Sequence, residues 1–246
     1  MYHFFVTEDQ IGEETVVIRG SDVNHIRNVL RMRQGEPLFI SGGEGTGYEC
    51  EICHIGTDQV MARILSRSDR TGELPARLHL FQGLPKGDKM ELVIQKAVEL
   101  GVSEVIPVIT RRTIVKLDKK KVEAKTARWN AVAESAAKQS GRGVIPVVRG
   151  VLSFKEALAY AGPFPVKIIA YERAEGMKTL REQLGRIRPG MDAGIFIGPE
   201  GGFEEEEISG AESAGAVPVS LGRRILRTET AGLMVLSVAG YLLETM

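Results

Sequence analysis

The 246-residue chain reads as an α/β protein with a parallel sheet covered on both faces, preceded by a small β-rich domain. Three observations carry that expectation. From Ala76 onward, apolar strand-like runs alternate with segments of helical periodicity. Before that point the apolar residues alternate over short stretches instead. The polar link "SRSDRTGELPA" (Ser66–Ala76) separates the two textures, so the expected domains are 1–70 and 71–246.

The N-terminal part opens on "MYHFFVTEDQ", which lacks a basic region followed by an apolar run and therefore does not read as a secretory signal. The segments "TVVIRG", "EPLFISGG", "YECEICHI" and "QVMARILS" read as strands of a small barrel or compact sheet. One helix, "SDVNHIRNVLRM", interrupts them, with Ser21 as its expected N-cap and Val23, Ile26 and Leu30 as its apolar stripe. Arg27 and Arg31 lie one turn apart beside that stripe. With Arg33 and His25 they either form a cationic patch for RNA or are solvated side chains. "CEICH" (Cys50–His54) matches the C-x-x-C-H pattern of haem attachment. On a strand, however, Cys50 and Cys53 point to opposite faces, and two cysteines do not make a zinc site. Both thiols are expected to be small strand residues, with no haem and no metal.

In the second part the order is strand "ARLHLFQGL", helix "KMELVIQKAVELG", strand "VIPVI", and the long helix "KVEAKTARWNAVAESAAKQSG". In that helix Trp129, Val132, Ala133, Ala136 and Ala137 form the apolar stripe, and Glu134 and Lys138 are spaced as an ion pair. Strand "VIPVV", helix "SFKEALAYA", strands "VKIIAYE" and "DAGIFIG", a helix after the glutamates, strand "AVPVSLG" and a last helix follow. Such sheets bind ligands at the carboxyl ends of their strands. That places "AYER" (Ala170–Arg173), "GPEGG" (Gly198–Gly202) and "SLGRRILRTET" (Ser220–Thr230) on one rim. Neither G-x-G-x-x-G after the first strand nor G-x-x-x-x-G-K-[ST] occurs, so dinucleotide and P-loop readings lose their main support. The longest apolar stretch, Ala231–Leu243, is too short to span a bilayer, and the expected location is cytoplasmic, with no membrane partner.

Net charge is zero, which argues against a uniformly basic nucleic-acid binder. The distribution is uneven, because residues 71–150 hold fifteen Lys/Arg against eight Asp/Glu while the flanking parts are acidic. The densest stretch, "TRRTIVKLDKKKVEAKTARW", offers Arg111, Arg112 and Lys116 as RNA contacts, or else a solvated loop and helix face. "IFIGPEGGFEEEEI" (Ile195–Ile208) has the strand–turn–helix layout of an anion cradle, yet Glu204, Glu205, Glu206 and Glu207 crowd the helix start. Either the turn is purely structural, or it holds a neutral or cationic ligand through glycine backbone. S-adenosylmethionine, adenosine-bearing and positively charged at sulfur, fits that description.

"IGPEGGFEEEEI" followed by "VSLGRRILRTETAGL" resembles the C-terminal signature of the SPOUT methyltransferases, most closely the RsmE family of bacterial 16S ribosomal RNA (uracil-N3) methyltransferases. "KGDKMELVIQKAVELGVSEVIPVITRRT", "RWNAVAESAAKQSGRGVIPVV" and "HIRNVLRMRQGE" resemble further blocks of that family, in the same order over nearly the whole chain. The resemblance implies a PUA-like RNA-binding barrel and a methyltransferase domain carrying a C-terminal trefoil knot. It also implies S-adenosylmethionine as cofactor, 16S rRNA or the assembled small subunit as substrate, and a homodimer. The apolar last helix suits that pairing or an ordinary buried core equally.

Carried onto this sequence, the first cofactor loop comprises Ala170, Tyr171 and Glu172, and the second Gly198, Pro199, Gly201 and Gly202. The third comprises Leu221, Gly222, Ile225, Leu226, Arg227 and Thr228, with Leu221, Ile225 and Leu226 sandwiching the base. Uracil N3 must lose its proton before it attacks. Arg227 and Arg142 are therefore candidates to stabilise developing charge, and Glu229 is the candidate base. In the alternative reading "RTET" is only a helix start, capped by Thr228 or Thr230. Methylation of another RNA position or of ribose 2′-O, and a non-catalytic RNA-binding protein, are the competing functions.

Overall fold

The computed structural model describes residues 1–42, 45–68, 72–114 and 119–245. They form two compact units, Met1–Glu73 with Ala137–Ile145, and Leu74–Ala136 with Pro146–Met246.

The first unit is built on a five-stranded sheet. Its strands are β1 (Tyr2–Phe5), β2 (Thr15–Arg19), β3 (Pro37–Ser41), β4 (Gly47–Ile55) and β5 (Gln59–Ser68), in the order β1-β3-β4-β5-β2. β1 runs parallel to β3 and the other pairs are antiparallel. Val16, Ile18, Leu38, Ile40, Ile52 and Val60 alternate inward and are fully buried, which is why these strands were legible as period-two patterns. β1 was not, because four consecutive aromatic or imidazole side chains carry no polar alternation.

Helix α1 (Ser21–Asn24) runs into one π-helical turn (His25–Val29), closed by Leu30 N donating to His25 O at 2.8 Å. Gly20, at φ 76°, holds the cap position and Ser21 is the first helical residue, so the expected Ser21 cap is corrected. Val23 and Ile26 are buried as expected. β4 bulges between Ile52 and His54, where Cys53 donates its S–H to Met61 O at 3.2 Å. Cys50 is buried, and burial pushes its thiol up to about 12.

The second unit contains β6 (Arg77–Gly83), α2 (Lys89–Glu99), β7 (Glu104–Ile109), α3 (Lys119–Ser140), β8 (Val147–Val148) and β9 (Leu152–Ser153). It continues with α4 (Phe154–Tyr160), β10 (Val166–Ala170), α5 (Lys178–Leu184), β11 (Asp192–Ile197), α6 (Glu205–Ser213), β12 (Val217–Val219) and α7 (Thr228–Glu244). The last turn of α3 falls within the first unit. The sheet is wholly parallel, ordered β12-β10-β11-β6-β7-β8, with β9 also on β7. Both faces are covered, as expected of a parallel sheet. Phe81 and Phe196 stack at 4.2 Å and pack with Ala157 of α4 and with Ile208 and Ala211 of α6. One residue along β6, Leu80 and Gln82 turn the other way, toward Gly232 and Thr228 of α7. Helix α5 escaped the sequence reading because its seven residues bury only Leu180 and Leu184. Among the described residues no helix is long and apolar enough to cross a membrane.

Candidate active site

The segments leaving the carboxyl ends of β10, β11 and β12 enclose one cavity of about 510 Å³. The structure brings to it Ala170, Tyr171 and Glu172; Gly198, Pro199, Gly201 and Gly202; and Leu221, Gly222, Ile225, Leu226, Arg227 and Thr228. Ile225 lines the cavity but is 94% exposed, in contrast to the enclosed role expected for it. Lys89, Glu200, Ser220, Arg223 and Arg224 also line it; the last four lie within the rim segments expected from the sequence but outside the named cofactor residues, while Lys89 enters from α2 and was not anticipated.

Backbone approach sets the shape of the second loop. A Cβ on Gly198 would lie 2.9 Å from Gly202 Cα, and Gly202 adopts φ +70°, a conformation side chains disfavour. The loop is anchored by a buried relay, in which Gln82 Nε2 donates to Thr228 Oγ1 at 2.8 Å and Thr228 Oγ1 donates to Gly198 O at 2.6 Å. Thr228 therefore serves the loop and not the helix end. Arg227 is the N-cap residue of α7, which corrects the alternative in which Thr228 or Thr230 caps it.

The glutamates are accounted for by their partners. Glu204 is the N-cap of α6 and forms a capping box with Glu207, whose Oε2 accepts from Glu204 N at 2.9 Å. The other oxygen of Glu207, a residue 6% exposed, accepts from Arg111 N at 2.9 Å. Glu206 pairs with Arg111 and Glu205 with Arg173. Arg112 donates from Nε and Nη2 to Glu204 at 2.8 and 3.2 Å, and from Nη1 to Gly201 O at 2.6 Å. Hydrogen bonding to Arg112 holds the Glu204 carboxyl below its ordinary value. This helix start is closed by its own side chains and offers no seat to a phosphate.

Glu200 accepts from Lys89 Nζ at 3.0 Å and from Lys86 N at 3.1 Å. Burial pushes its carboxyl up, but hydrogen bonds from backbone N–H groups and Lys89 outweigh that and hold it below the usual range. Glu229 is adjacent. Its buried Oε2 accepts no hydrogen bond among the described residues, and Lys89 Nζ lies 3.5 Å away.

The remaining predicted residues lie elsewhere. Arg142 does not line the cavity. It belongs to the first unit, where it is 3% exposed and donates from Nε and Nη2 to Glu73 at 2.8 and 2.5 Å. Glu73 also accepts from Gly143 N and Val144 N, so the ion pair fixes that loop. Arg27, Arg31 and Arg33 are exposed and form no ion pair among the described residues. Arg111 and Arg112 are engaged as above, and Lys116 lies outside the described residues.

Comparison with known proteins matches residues 72–240 to the RNA methyltransferase domain family and residues 18–65 to the RNA methyltransferase PUA domain. Ribosomal RNA small subunit methyltransferase E of Bacillus subtilis is 37% identical over 99% of this chain and 96% of its own length. The crystal structure of the corresponding enzyme of Neisseria gonorrhoeae, bound to S-adenosyl methionine, superposes with TM-score 0.85 at 33% identity, covering 98% of both chains. A Legionella pneumophila protein in complex with the bound cofactor SAM superposes with TM-score 0.86 at 33% identity, covering 98% of this chain and 97% of that one. The domain match and the near full-length identity establish that the chain belongs to the ribosomal RNA small subunit methyltransferase E family.

Proposed function

We propose that the protein transfers the methyl group of S-adenosylmethionine to N3 of a uracil in 16S ribosomal RNA. The observation that carries this reading is the single cavity where three strand-end loops meet, beside a helix start that has neutralised itself. Its volume suits a ligand of nucleoside size. Gly198 and Gly202 leave the backbone bare there, because a Cβ on either would meet Gly202 Cα or the Glu172 carboxylate. The fit is to an adenosine-bearing cation rather than to a nucleotide. Two relatives crystallised with this cofactor support the choice.

When bound, the sulfonium supplies an activated methyl group. The chain's own task is then to align acceptor and donor in line and to exclude water. Thr228 and Gln82 fix the second loop at Gly198 O, and Arg112 holds it at Gly201 O. Arg227 lines the cavity and has no ion pair among the described residues, which leaves its guanidinium free to stabilise charge developing on a uracil oxygen. Glu229, whose buried Oε2 accepts no hydrogen bond among the described residues and lies 3.5 Å from Lys89 Nζ, is the proposed acceptor of the N3 proton. Arg142, bound by Glu73, is assigned the loop it holds rather than the substrate.

The same reading makes residues 1–70 an RNA-binding domain, with Arg27, Arg31 and Arg33 on phosphates. It makes residues 71–246 the catalytic domain with a trefoil knot, and places the protein in the cytoplasm as a homodimer acting on rRNA or the assembled small subunit. The test is nucleoside mass analysis of ribosomal RNA from a strain lacking the gene. Loss of 3-methyluridine is expected, and its restoration by the wild-type chain but not by the Arg227→Ala variant. Unchanged 3-methyluridine, or loss of a 2′-O-methylated nucleoside instead, sinks the assignment to N3.

A further inference from the structure

We infer that Arg112 is a positioning residue of the methyltransferase reaction: it sets the second cofactor loop by bracing Gly201 against the start of α6, and it does not contact RNA. The inference rests on the cofactor assignment made above and assigns a role that the basic composition of its segment conceals.

The turn after β7 is closed within itself. Thr113 Oγ1 accepts from Thr110 N at 2.9 Å and lies 3.1 Å from Thr110 Oγ1, while Thr113 N donates to Thr110 O at 3.1 Å. This fixes the direction in which Arg111 and Arg112 leave the turn. Arg111 N then donates to Glu207, and the Arg112 fork reaches both carboxylate oxygens of Glu204. The remaining Nη1 donates to Gly201 O at 2.6 Å. The stem packs closely as well, since a Cβ on Gly201 would lie 3.1 Å from Arg112 Cβ.

One planar guanidinium thus holds a loop carbonyl and a helix-cap carboxylate at fixed separation, a geometry that an ammonium cannot reproduce. The hydrogen bonds to Glu204 are the main reason the guanidinium is raised above its ordinary value, with Glu172 of the first loop adding to the same field. Three of the five N–H donors of Arg112 are committed in this way, and its bidentate Nε–Nη2 edge is taken by Glu204 rather than open to a phosphate. Glu204, one of the four glutamates that exclude phosphate from this helix start, therefore has a second use, as the fixed side of a bracket on the cofactor loop.

The test compares wild type, Arg112→Gln and Arg112→Lys by calorimetric titration with S-adenosylmethionine and by filter binding to transcribed 16S ribosomal RNA across a salt series. Circular dichroism at the working temperature ensures that folded protein is compared. Arg112→Gln is expected to weaken cofactor affinity about tenfold, the effect of losing one hydrogen bond to a charged group. RNA affinity and its salt slope should be unchanged. Arg112→Lys should restore little, because one ammonium cannot span both partners. A purely structural role would lower the melting temperature without moving the cofactor dissociation constant in folded protein. Unchanged cofactor affinity in both variants overturns the inference. So does a salt slope shallower by about one with cofactor binding intact, the signature of a lost phosphate contact. Absence of cofactor binding by the wild-type chain would instead overturn the functional reading and this inference with it.

Discussion

At the scale of single residues, a densely connected polar group lies away from the cavity, at the amino ends of the strands. The His79 ring sits between Glu104 Oε2, 3.0 Å from Nδ1, and Asp192 Oδ1, 2.8 Å from Nε2. Arg77 grips Asp192 with two hydrogen bonds of 2.7 Å, while Tyr160 and Arg149 hold Glu104. Arg77, ahead of His79, lowers the Asp192 carboxyl to about 2 from 3.8. A depressed carboxylate contributes stability that is complete above its unfolded value and is lost as pH falls through the folded one. Urea unfolding should therefore show wild type losing stability between about pH 4 and pH 2, beyond the loss in Asp192→Asn. At neutral pH that variant should be weaker by on the order of 1 kcal/mol, a figure kept small because Arg77 is solvent-screened. Parallel pH profiles for the two proteins would remove Asp192 from the acid response. None of this was legible beforehand, because the register that sets His79 beside Glu104 and Arg77 beside Asp192 joins residues far apart in sequence. The three loops at the cavity were legible for the opposite reason, since each is a contiguous segment following a strand, whereas Lys89 of α2 was not.

Elements were legible where they repeat a period and obscure where neighbours decide. The strand ending in "FQGL" could be placed from its apolar run, but not the reason for its glycine. A Cβ on Gly83 would fall 2.5 Å from both N and Cδ of Pro199, so β6 and the loop after β11 touch through bare backbone. Gly83→Ala is expected to push the Gly198–Gly202 loop outward and weaken S-adenosylmethionine binding at least tenfold. Overpacking of this kind costs about 1–3 kcal/mol, which for a chain of this size lowers the melting temperature by roughly 2–12 °C. Calorimetric titration and a thermal melt read the two effects separately. A variant with wild-type affinity would show that the loop tolerates displacement and does not set the cofactor site. The π-helical turn after α1 belongs to the same class, since an α-periodic pattern predicts its buried residues but not the widened turn that delivers them.

At the scale of the whole molecule, the last helix was the element whose sequence left its use open. Its apolar run is nearly continuous, which suits either a helix buried in the core or one shared between a core and a partner. The structure separates the two faces. Ala231, Val235, Leu236, Ala239 and Leu243 are buried, and the helix packs on α2, β6 and β11. On the other side Val238 is 36% and Tyr241 68% exposed, with Met234 and Leu242 partly so. Exposed Val238 and Tyr241, with partly exposed Met234 and Leu242 beside them, make an apolar strip of the composition expected at the centre of an interface between copies. The core function of α7 accounts for one face, and the other is where the proposed homodimer is expected to form. Light scattering coupled to gel filtration should give twice the chain mass at micromolar concentration. Tyr241→Glu should give the single-chain mass with an unchanged circular dichroism spectrum, because a carboxylate there must be desolvated without a partner while the buried face is untouched. A wild-type chain that stays monomeric over the same range, or a Tyr241→Glu variant that keeps the dimer mass, would show that this face of α7 is not where two copies meet.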